Sequence, residues 1–141
     1  MASTLVYTFR TNKHLDAFRK IGVDIFVFGK LNDDIIKFQK LVDDTQPTLI
    51  IGVAEVKGLS RFETLAVNVF GKNGRVNRNG KDSYKLYVPP QIDFPKSRKT
   101  TNSFCNWTMC RISELVDSKH TKVSFLHFSR EDIPKVLDFL K

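Results

Sequence analysis

The run Thr48-Leu49-Ile50-Ile51-Gly52-Val53 is apolar along almost its whole length. A strand with one face in water alternates apolar and polar residues, whereas a continuous apolar run is typical of a strand covered on both faces. Such strands lie in parallel sheets with helices packed on either side. We therefore predict that this segment is a buried strand of a parallel sheet.

The sequence on either side of this run alternates between strand-like and helix-like segments. Further strands are predicted at residues 5–9, 23–28, 62–70, 84–88 and 122–128. Apolar residues at helical spacing predict helices after Asn12, Asn32, Cys105 and Ser129. This order predicts an α/β fold, a three-layer sandwich with a mostly parallel twisted sheet, flanking helices and an antiparallel excursion at residues 62–88. The length of 141 residues predicts one domain, residues 1–141.

Composition limits the compartment and the kinds of site. No apolar run is long enough to span a membrane, and the N-terminus lacks the layout of a signal peptide. We therefore expect a cytoplasmic protein with no membrane partner. Cys105 and Cys110 stand five residues apart on one predicted helix, which suits neither a disulfide framework nor a zinc site. We expect no metal and no cofactor.

Much of the net charge of +8 comes from one segment. Residues 71–100 contain eight lysines and arginines and only two aspartates. A basic segment of this kind binds phosphates or an acidic partner, or is simply a solvated surface. Nucleic acid is a disfavoured partner, because the segment lacks the interleaved aromatic residues of a stacking platform.

Two residues suggest cysteine chemistry. Cys105 falls at the first turn of a predicted helix, where the helix dipole favours thiolate and is expected to lower the thiol pKa. His127 falls near the carboxyl end of a predicted strand, the edge of the sheet where α/β proteins bind ligands. Together they have the residue types of a nucleophile and its base. The alternative interpretation is a buried, inert cysteine and an ordinary strand-end histidine.

From Pro47 onward, the order of short motifs resembles the pyroglutamyl peptidase family of cysteine peptidases. The run from Pro47 to Val53 is similar to that family's Pro-Asp-(apolar)-Gly-(apolar) strand. Arg61-Phe62-Glu63-Thr64-Leu65-Ala66-Val67-Asn68 is similar to its Glu-Arg-(apolar)-Ala-(apolar)-Asn strand. Phe104-Cys105-Asn106 matches the Cys-Asn pair that opens the nucleophile's helix, and Phe125-Leu126-His127 matches the Phe-Ile-His of the histidine strand.

The resemblance implies a catalytic triad of Cys105, His127 and Glu63. It also implies that Arg75, followed by Asn79-Gly80-Lys81, lines the active site and helps to bind the oxyanion. The activity implied is removal of an N-terminal pyroglutamyl or similar small acyl group, with a small peptide or acyl amide as substrate. Without the resemblance, a glutamate near a strand end such as Glu63 is more often a surface carboxylate, and Arg75 is open to interpretation as a solvated turn charge.

The sequence departs from the family where the substrate ring would bind. The family has a Gly-Phe-x-Pro-Phe-Gly turn after its first strand, whereas this chain has Tyr7-Thr8-Phe9-Arg10-Thr11, in which Phe9 is the one aromatic available to contact the substrate. The stretch between Glu63 and Cys105 is also shorter than in the family. The competing hypothesis is therefore a catalytically impaired binding or interaction protein with a basic surface loop. The sequence is compatible with a homo-oligomer.

Overall fold

In the computed structural model, a five-stranded sheet lies between two layers of helices. The structure describes residues 3–72, 74–101 and 103–141, so Met1, Ala2, Asn73 and Asn102 of the predicted domain lie outside the described residues. The strands are β1 (Thr4–Phe9), β2 (Ile25–Phe28), β3 (Leu49–Glu55), β4 (Arg61–Phe62), β5 (Leu65–Val67), β6 (Ser83–Lys85) and β7 (Lys122–Phe128). The helices are α1 (Leu15–Arg19), α2 (Leu31–Thr45), α3 (Phe104–Leu115) and α4 (Ile133–Leu140), and a 3-10 turn at Arg130–Asp132 precedes α4.

The main sheet is parallel except at one edge. Its strand order is β2-β1-β3-β7-β4, and only β4 runs antiparallel to its neighbour. β3 is in the middle, paired with β1 from Leu49 to Gly52 and with β7 along its whole length. The predicted α/β sandwich is therefore confirmed, and the apolar run at residues 48–53 is its central strand.

Each face of the sheet has its own apolar layer. Along β1, Leu5, Tyr7 and Phe9 face the layer that contains α2 and α3, whereas Val6 faces the layer that contains α1 and α4. This alternation follows from the two-residue period of a strand.

No helix in the described part of the chain is long and apolar enough to cross a membrane.

The predicted strand at residues 62–70 is wrong as a single element. Arg61 and Phe62 form β4 at the edge of the main sheet, and Leu65–Val67 form β5, which pairs with β6 in a separate two-stranded sheet. The chain changes sheets at Glu63, whose N–H still donates to the carbonyl of Phe125 on β7. Alternating apolar residues do not reveal which sheet a strand joins, so the pattern could not predict this break.

Gly52 allows the closest approach in the core. A Cβ at this position would overlap the ring of Tyr7 on β1 and the ring of Phe125 on β7. Both rings are fully buried and lie 6.0 Å apart between centroids. The two aromatic side chains therefore pack over the glycine on β3, in space that no other residue would leave open.

We expect Gly52→Ala to lower the free energy of unfolding by about 1–3 kcal/mol or more, because two buried rings must shift to admit one methyl group. Gly29→Ala is the matched control, because a Cβ there would lie 3.6 Å from Oδ2 of Asp34, an ordinary contact. Urea unfolding followed by circular dichroism measures both variants. Equal stability of the two variants would contradict this account of the core.

Candidate active site

A cleft of about 590 Å³ opens at the carboxyl edge of the parallel strands. Its walls include Phe9 from the end of β1, Glu55 from the end of β3, and Phe104 and Cys105 from the start of α3. β1 pairs with β2 on one side and β3 on the other, so the cleft lies where the winding of the sheet reverses direction. Ligands of open α/β sheets bind in this position. We call it the Cys105 cleft.

Glu63 and His127 form a buried pair beside this edge. Nδ1 of His127 lies 2.9 Å from Oε2 of Glu63, and the two residues are only 8% and 3% exposed. A carboxylate accepts and does not donate, so Nδ1 carries the proton and Nε2 of the neutral ring is left as the acceptor. Among the residues that the structure describes, none is hydrogen-bonded to Nε2. A histidine oriented in this way is equipped to take a proton.

Arg61 provides a third member of this group. It lies opposite His127 in the β4–β7 pairing, and its Nε is 3.4 Å from the same Oε2 of Glu63. A buried carboxylate is costly unless it is paired, and the guanidinium of Arg61 gives Glu63 a second positively charged or polar partner beside His127. Arg61 belongs to the segment that resembles the family's strand, but the resemblance implies no role for it. Its contact with Glu63 is therefore a finding of the structure.

Cys105 lies at the start of α3, on the face of the sheet that Phe125 also faces. His127 stands two residues beyond Phe125 on β7 and faces the same way. The centroids of the Phe125 and His127 rings are 4.9 Å apart. Burial raises the pKa of Cys105, and the charge of Glu63 adds to that rise. The structure thus brings the three residues of the predicted triad to one face of the sheet at its carboxyl edge.

The expected lowering of the Cys105 pKa is wrong. Burial raises the pKa of this thiol to about 12, the Ser103 hydroxyl lowers it, the Glu63 charge raises it, and the backbone N–H of Cys105 lowers it. The side chain is 5% exposed, so the cost of an unsolvated thiolate exceeds the stabilisation from the helix dipole. Cys105 is therefore a protonated thiol at neutral pH.

A short hydrogen-bond relay holds the first turn of α3 against the sheet. The Thr108 hydroxyl donates to the carbonyl of Cys105 at 2.7 Å, so its oxygen accepts from the Tyr7 hydroxyl at 3.1 Å. Burial raises the pKa of Tyr7 far above its usual range, Thr108 lowers it and Cys105 raises it, so the phenol stays protonated and donates. Tyr7 on β1 therefore fixes the position of the cysteine backbone.

Asn106 fastens the start of α3 to β5. Its Oδ1 accepts from the N–H of Val67 at 2.9 Å, and its Nδ2 donates to the carbonyls of Val67 at 2.7 Å and Val69 at 3.0 Å. The side chain is completely buried, and it bonds to the backbone of Val67 and Val69 as a neighbouring strand would. Asn106 thus belongs to the scaffold of the candidate site and not to its reacting groups.

An aromatic pair borders the cleft. Phe9, predicted to contact substrate, is 4% exposed and lies edge-on to Phe104 with ring centroids 4.7 Å apart. Phe104 is 41% exposed and borders both the Cys105 cleft and a smaller apolar recess beside it. No role was predicted for Phe104, although a large apolar residue directly before a candidate nucleophile was the available signal.

Arg75 lies apart from these contacts. Its Nη1 is 3.1 Å from Oδ1 of Asp82, and its Nη2 donates to the carbonyl of Gly80 at 3.1 Å. Burial raises the pKa of Cys110 to about 11, and the charge of Glu114 adds to that rise. The charges of Arg111 and Arg75 oppose it. Arg75 is not among the described residues that line the Cys105 cleft.

The outer part of the cleft is charged. Glu55 lies 3.2 Å from Nε2 of His14 through one oxygen and 3.6 Å from Nε of Arg130 through the other. Lys13 and Lys57 also line this part. The cleft therefore runs from an apolar end at Phe9, Phe104 and Cys105 to a polar end with excess positive charge.

We expect Cys105 in the folded protein to alkylate with iodoacetamide on the order of a thousandfold more slowly than a free thiol at neutral pH, because the thiolate is the reactive form. Its rate should rise about tenfold per pH unit without a plateau below about pH 9, since its pKa is about 12. Peptide mass spectrometry measures the modification, and urea-unfolded protein is the fast control. A plateau near neutral pH would reveal a thiolate–imidazolium pair and contradict this expectation.

We expect Asn106→Ala to lower the free energy of unfolding by about 2 kcal/mol or more, because backbone groups of Val67 and Val69 lose their buried partner. Asn79→Ala removes an amide from an exposed position and should change stability by less than about 0.5 kcal/mol. Urea unfolding compares the two. A small effect at Asn106 would show that β5 does not depend on this contact.

Known proteins match this chain by structure and not by sequence. No family model and no curated protein sequence matches it. Pyrrolidone carboxyl peptidase from Thermococcus litoralis matches with a TM-score of 0.71 at 13% identity, over 92% of this chain and 77% of that one. Pyroglutamyl peptidase I from Bacillus amyloliquefaciens matches with a TM-score of 0.69 at 13% identity, over 96% and 84%. A mutant pyrrolidone carboxyl peptidase from Pyrococcus furiosus matches with a TM-score of 0.71 at 14% identity, over 97% and 86%.

The similarity extends over nearly all of this chain but omits part of each peptidase. This agrees with the shortened segment between Glu63 and Cys105. At this level of identity the comparison establishes architecture. The resemblance predicted from the motifs is confirmed to that extent: the chain has the fold of the pyrrolidone carboxyl peptidases, in a shorter and divergent form.

Proposed function

We propose that the protein is a cysteine amidohydrolase that removes a small acyl group, of the pyroglutamyl type, from the N-terminus of a peptide. The observation that carries the proposal is the buried hydrogen bond, 2.9 Å long, between Glu63 and His127. A buried carboxylate on Nδ1 is the arrangement that orients a histidine base. Cys105 lines the cleft at the carboxyl edge of the sheet, and the charge of Glu63 acts on its thiol.

The raised thiol pKa determines the order of proton transfer. Because the resting thiol is protonated, Nε2 of His127 takes its proton as the sulfur attacks the substrate carbonyl. The new carbon–sulfur bond forms as the carbonyl π electrons move onto oxygen. The amide carbon–nitrogen bond then breaks, and the amine leaves with the proton held by His127. Water, deprotonated by His127, hydrolyses the thioester, and the thiol recovers its proton.

The start of α3 supplies donors for the oxyanion. The first helical hydrogen bond runs from the N–H of Trp107 to the carbonyl of Ser103, so the preceding N–H groups are not used by the helix. Such groups stabilise the charge that develops on the carbonyl oxygen. Arg75 remains a proposed oxyanion residue on the resemblance alone, and in that role it would have to leave Asp82 and Gly80.

The two ends of the cleft fit the two parts of the proposed substrate. A small, uncharged acyl group suits the apolar end of the cleft beside Phe9 and Phe104. The peptide that follows it would occupy the charged end near Glu55 and Arg130. Binding energy from these remote groups aligns the carbonyl with Cys105. Both cysteines are free, which suits the reducing cytoplasm in which we propose that the protein acts.

One observation favours a binding protein that has lost catalysis. Cys105 is deeply buried, and its pKa of about 12 leaves almost no thiolate at neutral pH. A thiol in that state reacts only if His127 removes its proton during the attack. The same cleft would otherwise bind an acylated peptide without cleaving it.

We expect slow turnover of a fluorogenic pyroglutamyl amide, and its loss with Cys105→Ser or His127→Ala. Glu63→Gln keeps the size of the side chain but removes its charge, and should lower kcat/KM by roughly 10²–10⁴ because the imidazole loses its orientation and its counter-charge. Fluorescence release measures each rate, with other small acyl amides tested in parallel.

Cys110→Ala is the matched control, because Cys110 is also a buried thiol on α3 but lies outside the cleft. It should retain activity. Turnover that survives Cys105→Ser would refute the nucleophile. An acyl amide that binds to the native protein but is not cleaved would favour the catalytically impaired binding protein.

A further inference from the structure

The serine that precedes α3 does not cap the helix with its side chain. Ser103 is the N-cap residue of α3, a position where a serine hydroxyl ordinarily accepts a hydrogen bond from an N–H of the first turn. The Ser103 hydroxyl makes no such bond to the N–H groups of residues 104–106, all of which the structure describes. The hydroxyl therefore has a role other than capping.

Thr101 holds this hydroxyl in one direction. The Thr101 hydroxyl donates to Oγ of Ser103 at 2.9 Å, and its own oxygen accepts from the N–H of Ser103 at 3.2 Å. Because the Ser103 oxygen accepts the Thr101 proton, its own O–H is left to donate to another group. Both residues are half-buried, so water competes for this O–H less than it would at an exposed site.

The partner of the Ser103 hydroxyl is the sulfur of Cys105. Burial raises the pKa of the Cys105 thiol, and the hydrogen bond from the Ser103 side chain lowers it. A neutral thiol is a weak acceptor, whereas an ionised acceptor forms a stronger hydrogen bond. Thr101 and Ser103 thus form a chain of two hydroxyls that ends on the candidate nucleophile.

We propose that Ser103 is a further catalytic residue of the proposed hydrolysis and donates its O–H to Sγ of Cys105 while the sulfur carries negative charge. This role rests on the proposed function, whereas the hydrogen bond does not. Nε2 of His127 takes the thiol proton as the sulfur attacks the carbonyl carbon, and Ser103 keeps its own proton throughout. Once the carbon–sulfur bond has formed, the charge lies on the carbonyl oxygen.

This hydrogen bond is stronger in the transition state than in the resting enzyme. The sulfur is partly charged only as it attacks, so the hydrogen bond lowers the barrier and does not merely hold the ground state. The same donor acts again when water hydrolyses the thioester, because the sulfur leaves with the electron pair of the carbon–sulfur bond. Thr101 does not touch the sulfur and is a positioning residue that acts through Ser103.

The first test measures the hydrogen bond without any substrate. Ser103→Ala should slow the alkylation of Cys105 by iodoacetamide about tenfold at about pH 9, because the thiolate loses a hydrogen-bond donor. Thr101→Val should slow it about threefold, because the Ser103 hydroxyl is no longer held in one direction. Ser103→Thr restores a hydroxyl and should return the rate to near the native value. Peptide mass spectrometry follows Cys105 and Cys110 in the same sample.

Cys110 is the internal control for local opening of α3, because it is a buried thiol on the same helix. Its alkylation rate should not change in any of the three variants. An unchanged or faster Cys105 rate in Ser103→Ala would overturn the proposal, and so would an equal change at Cys110. A Ser103→Thr rate as low as that of Ser103→Ala would also overturn it, because the effect would then not depend on the hydroxyl.

The second test separates this proposal from the proposed hydrolysis. With a fluorogenic pyroglutamyl amide, Ser103→Ala should lower kcat about tenfold with little change in KM, because the donor acts on the sulfur and not on bound substrate. An unchanged kcat would overturn the catalytic role of Ser103. Slower alkylation in a protein that cleaves no acyl amide would support the hydrogen bond and refute the hydrolysis. Because the hydroxyl makes no capping bond, Ser103→Ala is expected to fold, and urea unfolding checks this.

Discussion

The position of Cys105 depends on the packing of Tyr7 over Gly52. The glycine leaves space for the ring, and the ring places its hydroxyl beneath α3, where it donates to Thr108. Thr108 in turn donates to the carbonyl of Cys105. A core contact between two strands therefore determines where the thiol lies. Because this hydroxyl is buried, loss of any member of the relay leaves a polar group unpaired and costs more than the hydrogen bond itself contributes.

The same burial that fixes Cys105 also changes its chemistry. A thiol at an exposed helix N-terminus is activated by the helix dipole, but a thiol enclosed by aromatic rings cannot hold a charge cheaply. Phe9 and Phe104 pack edge-on beside it, and the negative charge of Glu63 acts against a second negative charge nearby. In the proposed reaction, the charge of Glu63 orients His127 and does not activate Cys105 in advance. On that proposal, Cys105 loses its proton only as it attacks a bound substrate.

The sequence predicted what depends on local periodicity. The buried run at residues 48–53, the final strand at Lys122–Phe128 and the four helices follow from apolar spacing, and the structure contains all of them. The break at Glu63 was not predictable, because the alternation of residues 62–70 is the same whether they join one sheet or two. The pKa of Cys105 was predicted in the wrong direction for a similar reason. The helix dipole is a local property, whereas burial depends on rings contributed by β1 and β7.

The contact between Arg61 and Glu63 gives Arg61 a role that the motifs did not predict. In the proposed reaction His127 alternates between a neutral and a charged ring, so its buried carboxylate partner meets two different electrostatic situations. With Arg61 at 3.4 Å from the same oxygen, Glu63 always has one permanent positive neighbour. Because arginine does not lose its proton in proteins, this neighbour is independent of pH. When His127 loses its proton, Glu63 therefore does not become an unpaired buried anion, as the proposed roles of His127 as base and then as acid require.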